Sequence, residues 1–416
     1  MAADSTQSMT PSVRTVFSAA FRAAIAASCL YSIWSSWKLL RADYLFGQDT
    51  PSSVRAAILL VPVQPKYYMR FAQLDGEHAV DSLETALRLN PYNAGAAIEL
   101  GLQYEGNGDY ARAENMLMQA WAVDRTYLPR WSLANYYLRR GNVAGFWLWA
   151  RKAAEMPSSD MTPLLELCWR VTPDGVDIAK HVLTNNPDTI RQYLGFLLHK
   201  DELHAIVDVA PWLVRYGSVE ADRALLLSVV NRLITSNDGA AATRLWRLMM
   251  AERWVIADRT APNNPTFSRD PIPVGFDWNL PSYEGLHSWP GASGLEAEFS
   301  GRQPESCVIA EQVVTLPAGA YSFSYSYRTS GIEPDTGIAW RIMDAKSGAV
   351  LGNSPDLSSN TLGQHSLEFS VPPETSLVRL SLAYNRALGT PRISGMLTVL
   401  STRIVARGVH DLSSER

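Results

Sequence analysis

Apolar residues recur at helical spacing from about residue 60 to Trp254, and there the period changes. Segments such as "PLLELCWRV", "DTIRQYLGFLLH", "LHAIVDVAPWLVRY" and "ADRALLLSVVNRLI" place apolar side chains three and four apart and are parted by Pro, Gly or Asn. Past Trp254, "AYSFSYSYRTS" alternates strictly. Tyr321, Phe323, Tyr325 and Tyr327 fall on one face, and Ser322, Ser324, Ser326 and Arg328 on the other. "GIAWRIMD" and "LVRLSLAY" do the same with Ile338, Trp340 and Ile342 and with Val378, Leu380, Leu382 and Tyr384. Together with "LEAEF", "CVIAEQVVTL", "HSLEFSV" and "GMLTVLSTRIV" these runs predict about eight short strands at regular spacing, as in a two-sheet sandwich. The pattern predicts a multidomain chain, α then β. An N-terminal segment spans residues 1–42, an α-solenoid 43–256, a Pro- and Asn-rich linker 257–275, an antiparallel β-sandwich 276–408 and a short tail 409–416.

Within the helical part a 34-residue period emerges. "AAIELGLQYEGNGDYARAENMLMQAWAVD" sets Ala97, Leu100, Gly101, Tyr104, Ala113, Leu117 and Ala120 at the spacings of a tetratricopeptide repeat, and the chain resembles that family here. Thirty-four residues earlier stand Ala79, Leu83, Ala86 and Pro91, and Trp131 opens a third repeat. Gly101 and the alanines let two antiparallel helices approach, while Tyr104 and Leu117 fill the space between repeats. The pattern departs at Tyr67 and Asn135 in the glycine slot and at Arg125 in the proline slot. The resemblance implies a right-handed solenoid whose concave face takes a protein partner. Trp131, Tyr136, Tyr137, Trp147 and Trp149 read either as a lining of that groove or as core between helices.

"LEAEFSG", then "LPAGAYSFSYSYRTSG", Trp340 and "VRLSLAY" are similar to jelly-roll carbohydrate-binding modules and galactose-binding-like domains. This resemblance implies a sandwich that takes a polysaccharide. Sugars are held by aromatic faces against C–H surfaces and by planar groups that bond vicinal hydroxyls. The candidates are Trp278, Tyr283 and Trp289, Arg328, Arg341 and Arg379 on the polar faces of three strands, and Asn385 and Arg386 at a strand end. The three aromatics read equally as a lid packed on the solenoid, and the arginines as an ordinary solvated face.

The apolar run "AAIAASCLYSIWSSW" after Arg22 reads as a signal anchor that spans a membrane, with the bulk of the chain extracytoplasmic. Cleavage at "AIA", lipidation of Cys29 and an amphipathic helix are the alternatives. Thirty-seven Lys plus Arg against 41 Asp plus Glu give a net charge of −4, without the basic excess that a nucleic acid demands. The three cysteines are scattered and read as lone thiols. No catalytic motif appears, His199 and His204 miss the spacing of a helical metal pair, and Glu296 and Glu298 read as solvated carboxylates. Neither an enzyme nor a cofactor or metal is expected. The arrangement is similar to solenoid scaffolds of exopolysaccharide synthesis and export. It implies a membrane-anchored envelope scaffold joining a protein machine to a glycan, the alternative being a protein adaptor with a structural sandwich.

Overall fold

A computed structural model of the chain describes residues 13–156, 160–360 and 362–407, so the predicted C-terminal tail and the first twelve residues lie outside it. The change of period at Trp254 is a change of architecture. Fourteen helices are described before it and nine strands after it. The chain divides into two compact units, Met1–Ser158 and Ser159–Arg416.

The first unit contains α1 (Val13–Gly47), α2 (Pro51–Leu60), α3 (Pro65–Leu74), α4 (Ala79–Leu89), α5 (Ala94–Gly106), α6 (Tyr110–Val123), α7 (Tyr127–Arg139) and α8 (Val143–Ala154). Asn93, Asp109 and Asn142 each accept a backbone N–H of the helix they open, which sets where α5, α6 and α8 begin. Ala97, Leu100, Gly101, Tyr104, Ala113, Leu117 and Ala120 are all buried, as the repeat spacing predicts. A Cβ added at Gly101 would lie 3.0 Å from Leu117 Cγ and 3.2 Å from the Ala113 carbonyl oxygen, so α5 and α6 meet there with no room for a side chain. Arg139 reaches back one period to clamp both carboxylate oxygens of Glu105, at 2.7 and 2.6 Å.

The departures from the repeat pattern have local causes. Tyr67 fills its slot because that position opens onto α1 and α2. It is 1% exposed, its ring lies 5.0 Å from that of Phe46, and its hydroxyl donates to Asp43 Oδ1 at 2.7 Å. Arg125 takes the proline slot by lying over the Trp121 indole, 3.5 Å from its centroid. Trp149 and Tyr136 are core, while Trp131, Tyr137 and Trp147 keep partial exposure.

The predicted membrane anchor is corrected here. Among the described residues no helix is long and apolar enough to cross a membrane. Residues 13–47 form one helix into which the sequence sets Arg22, Lys38, Arg41 and Asp43, and its final turns belong to the solenoid core. Ala42 is fully buried beside Ala57 and Tyr67, and Lys66 and Arg70 bond Asp43 and Asp49. Upstream of those turns, Phe21, Leu30, Trp34 and Trp37 are more than half exposed.

The second unit opens with α9 (Thr162–Val171), α10 (Gly175–Val182), α11 (Pro187–His199), α12 (Leu203–Tyr216), α13 (Val219–Thr235) and α14 (Gly239–Ala251). The 34-residue offset reappears as contacts. Arg232 Nη1 donates to the Leu198 carbonyl at 3.3 Å, and His204 bonds Asp238. Within the second unit, two pairs of residues one such period apart thus meet.

The strands are β1 (Leu286–Gly291), β2 (Gly294–Ser300), β3 (Ser306–Val314), β4 (Gly319–Ser330), β5 (Ile338–Asp344), β6 (Val350–Asn353), β7 (Gly363–Val371), β8 (Val378–Asn385) and β9 (Ser394–Ala406). They form a five-stranded sheet ordered β1-β2-β9-β4-β7 and a four-stranded sheet ordered β3-β8-β5-β6, all antiparallel. The alternation predicted from sequence holds. Phe323, Tyr325, Trp340, Leu380 and Leu382 lie in one core between the sheets.

Residues 257–275, predicted as a linker, pack on that core. Phe267 is fully buried, Pro265 accepts the Thr402 N–H at 2.8 Å and Ala261 the Ile404 N–H at 3.3 Å. Helix α14 meets the sandwich in the same unit. The hydroxyls of Thr243 and Thr315 are 3.2 Å apart, and Gly275, at φ +73°, brings its backbone so near Trp246 that a Cβ would sit 2.6 Å from the indole.

The α5–α6 contact gives a test. Gly101→Leu overpacks the interface with Leu117 and is expected to destabilise the first unit by about 1–3 kcal/mol. Thermal unfolding of the full chain checks this, and an unchanged first transition contradicts the repeat register.

Candidate functional site

Strand order decides which of the predicted site residues can meet. Arg328 lies on β4 in the five-stranded sheet, whereas Arg341 on β5 and Arg379 on β8 lie in the other sheet. All three point away from the core, so Arg328 is on the opposite outer face from the other two. The single arginine-lined surface expected if the three strands were neighbours is not formed. Arg341 and Arg379 are neighbours on one face, where Arg341 pairs with Ser381 and Arg379 with Met343.

Several candidates already have partners. Arg379 faces Glu311 at 3.7 Å, Arg386 faces Glu305 at 3.3 Å, and Asn385 Oδ1 accepts the Ser306 hydroxyl at 2.7 Å. Tyr283 forms a bridge with Leu286 in the turn before β1 and packs partly on the core. Trp278 has no exposed surface. It plugs the space between the sheets, 4.9 Å from Phe267 and 6.0 Å from Trp340 by ring centroids, and its Nε1 donates to the Asn264 carbonyl at 3.2 Å. It is therefore a core residue of the join, neither a lid nor a platform.

The five-stranded sheet does assemble a coherent surface. Directly paired residues share a face, and the registers align Trp289 with Glu296, Glu296 with Thr398, and Thr398 with Arg328. At the usual inter-strand spacing these four side chains form a row about 15 Å long across β1, β2, β9 and β4. A second row, His287, Glu298, Met396 and Ser330, runs beside it. The rings of His287 and Trp289 lie 5.0 Å apart and make a small aromatic block at the sheet edge. Beyond Arg328 the face continues as hydroxyls, with Ser326 and Ser401 bonded to each other at 2.7 Å.

Availability separates this row from Trp278, Arg379, Asn385 and Arg386, whereas Arg341 is half-buried and, like Arg328, in no ion pair among the described residues. Arg328 and Glu298 are exposed, Trp289 and Glu296 half-buried, and no ion pair among the described residues engages either carboxylate or the guanidinium. The two rows together offer a planar five-donor fork, two carboxylate acceptors and an indole on one face, while Thr398 between them is buried. Glu296, Glu298, His287 and Thr398 are absent from the binding residues expected from sequence. The signal that could have found Glu296 is the tight turn "GASG", whose Gly291–Gly294 closing pair sets the β1–β2 register and places Glu296 opposite Trp289.

The thiols stand apart from this surface. Cys29 is exposed, while burial pushes Cys168 up to about 12 and Cys307 up to about 11, so both stay protonated near neutrality. Burial also raises Asp277, opposed by the N–H groups of Ile272 and Trp278 that bond its carboxylate.

No family model matches this chain, and no curated protein matches it. Solved structures that resemble parts of it include the thermophilic TPR protein TTC0263 of Thermus thermophilus, at 27% identity and a TM-score of 0.26, covering 30% of this chain and 70% of that one. YrrB, a TPR protein with an unusual peptide-binding site, matches at 13% identity and a TM-score of 0.24, covering 48% and 92%. A CBM4 structure matches at 11% identity and a TM-score of 0.28, covering 35% and 100%. At such TM-scores the likenesses carry no weight for function, and the reading below rests on this chain's own residues.

The burial of Trp278 yields a prediction. Trp278→Ala removes two ring contacts and a hydrogen bond inside the sandwich and is expected to cost about 3–5 kcal/mol. Denaturant unfolding of the full chain measures it. A change near zero places Trp278 outside the core.

Proposed function

We propose that this chain is a non-enzymatic binding protein whose five-stranded sheet holds a polysaccharide across its outer face and whose helices take protein partners. The observation that carries the reading is the row Trp289, Glu296, Thr398, Arg328, contributed by four neighbouring strands. An indole suits the C–H face of a sugar ring, and the carboxylates and guanidinium suit pairs of hydroxyls along a chain. Arg328 and Glu298 are exposed and Glu296 half-exposed, so water reaches both carboxylates. Such a surface favours holding a polymer over cleaving it. A scaffold role for the helices is supported by their repeat packing and by the aromatic residues left partly exposed on α7 and α8. Placement at a cell envelope is supported by the exposed apolar side chains of α1, which suit the surface of a membrane.

A glycan array probed with the full chain tests the central claim. Trp289→Ala and Arg328→Ala are each expected to weaken retention about fivefold or more, from a lost stacking contact and a lost charge-assisted hydrogen bond. Arg379→Ala, on the other sheet, is expected to leave it unchanged. No retention on any glycan overturns the reading in favour of a protein adaptor, and so does an equal loss in Arg379→Ala.

A further inference from the structure

A second surface of the same unit has the form of a ligand site. Where α14 meets the sandwich, a cleft of about 600 Å³ opens between that helix, residues 257–263 and the end of β3. The volume is within the range of small-molecule sites. Trp246 and Phe276 form its apolar part, their rings edge to face at 5.8 Å, and the hydroxyls of Thr243 and Thr315 lie on its wall.

The charges in the cleft do not balance. Asp258 lines it, but its carboxylate is already held by Arg269 at 2.8 Å and by the Asn264 N–H at 2.9 Å. Arg247 from α14 and Arg259 from the following segment also line it, and neither has an ion-pair partner among the described residues. Two free guanidiniums thus face a pocket whose carboxylate is occupied. A bound molecule that supplies an anion to the guanidiniums and hydroxyls to the threonine pair on the wall would match both sets of groups, with the buried Trp246 and Phe276 as the floor beneath it.

We propose that this cleft binds a small sugar acid, a uronate monomer or short uronate oligomer whose carboxylate sits between Arg247 and Arg259. The site is separate from the row on the five-stranded sheet and does not rest on that reading. Guanidinium pairs carboxylate oxygens in a planar two-bond geometry, and this favours a carboxylate over a neutral sugar of the same shape.

Titration calorimetry on the full chain tests it, with glucuronate and trigalacturonate as probes, cellotriose as the neutral arm and glucose 6-phosphate as the phosphate arm. Trigalacturonate is expected to bind at least tenfold tighter than cellotriose. Arg247→Ala and Arg259→Ala are each expected to weaken it about tenfold, and Arg259→Glu to abolish it, with the melting temperature unchanged because both side chains are exposed. Trp289→Ala is expected to leave this binding intact, which separates failure here from failure on the sheet face. Binding of the phosphate arm alone, equal binding of the neutral sugar, or no binding by the folded chain overturns the proposal. So does uronate binding lost in Trp289→Ala and kept in both arginine variants.

Discussion

The side chain of Gln312 joins the segment after the helices to the sheets. It is 1% exposed, its Oε1 accepts the Asn263 N–H at 2.9 Å, and its Nε2 donates to the Asn263 carbonyl at 3.0 Å. One buried amide thus satisfies both backbone groups of a residue that has no strand beside it, work a neighbouring strand would otherwise do. With Asn263 fixed, Asn264 presents its carbonyl to Trp278, and Trp278 closes the sandwich. The segment that follows carries Phe276 to Trp246 and so docks the sandwich on α14. The core, the junction and the cleft all depend on a polar contact that would be costly to leave half-made.

The helical half is governed by a different constraint, the close approach of α5 and α6 at Gly101. Where the slot can be emptied, the repeat continues by small residues. Where the slot opens onto other helices, as at Tyr67 against α1 and α2, a large ring fills it and finds a partner for its hydroxyl in Asp43. The same helix α1 that supplies Asp43 reads as a span from sequence. Its apolar run is bounded by Arg22 on one side and Lys38, Arg41 and Asp43 on the other, and among the described residues no helix is long and apolar enough to cross a membrane.

What is legible in the sequence follows from the range of the interactions involved. The alternation of Tyr321 to Tyr327 is local, so the inward face of β4 can be read directly, and the 34-residue period locates α5 and α6 the same way. Trp278 is not legible. Its neighbourhood of Pro, Gly and Asn looks like a surface loop, and what buries it is the Asn263–Gln312 contact 49 residues apart. Period two tells which side of its own strand each arginine takes. It cannot tell that β4 and β5 belong to different sheets, since that is set by chain crossovers between strands distant in sequence.

Availability, more than residue type, then distinguishes a binding arginine from a structural one. Arg139, Arg191 and Arg379 each sit within an ion pair, and to take a ligand they would have to give up a partner and expose its charge. Asp222, held by Arg191, is fully buried, so releasing it would strand a carboxylate in the core. Arg328 and the two arginines of the cleft are under no such constraint. Each can trade water for a ligand oxygen, which is the exchange that leaves a charge-assisted hydrogen bond with a net gain. Arg247 shares its cleft with Trp246, whereas Arg328 stands at the far end of the row from Trp289, about 15 Å away. What the two places share is a guanidinium with no ion-pair partner among the described residues, set beside other polar groups, and folding alone does not require that arrangement.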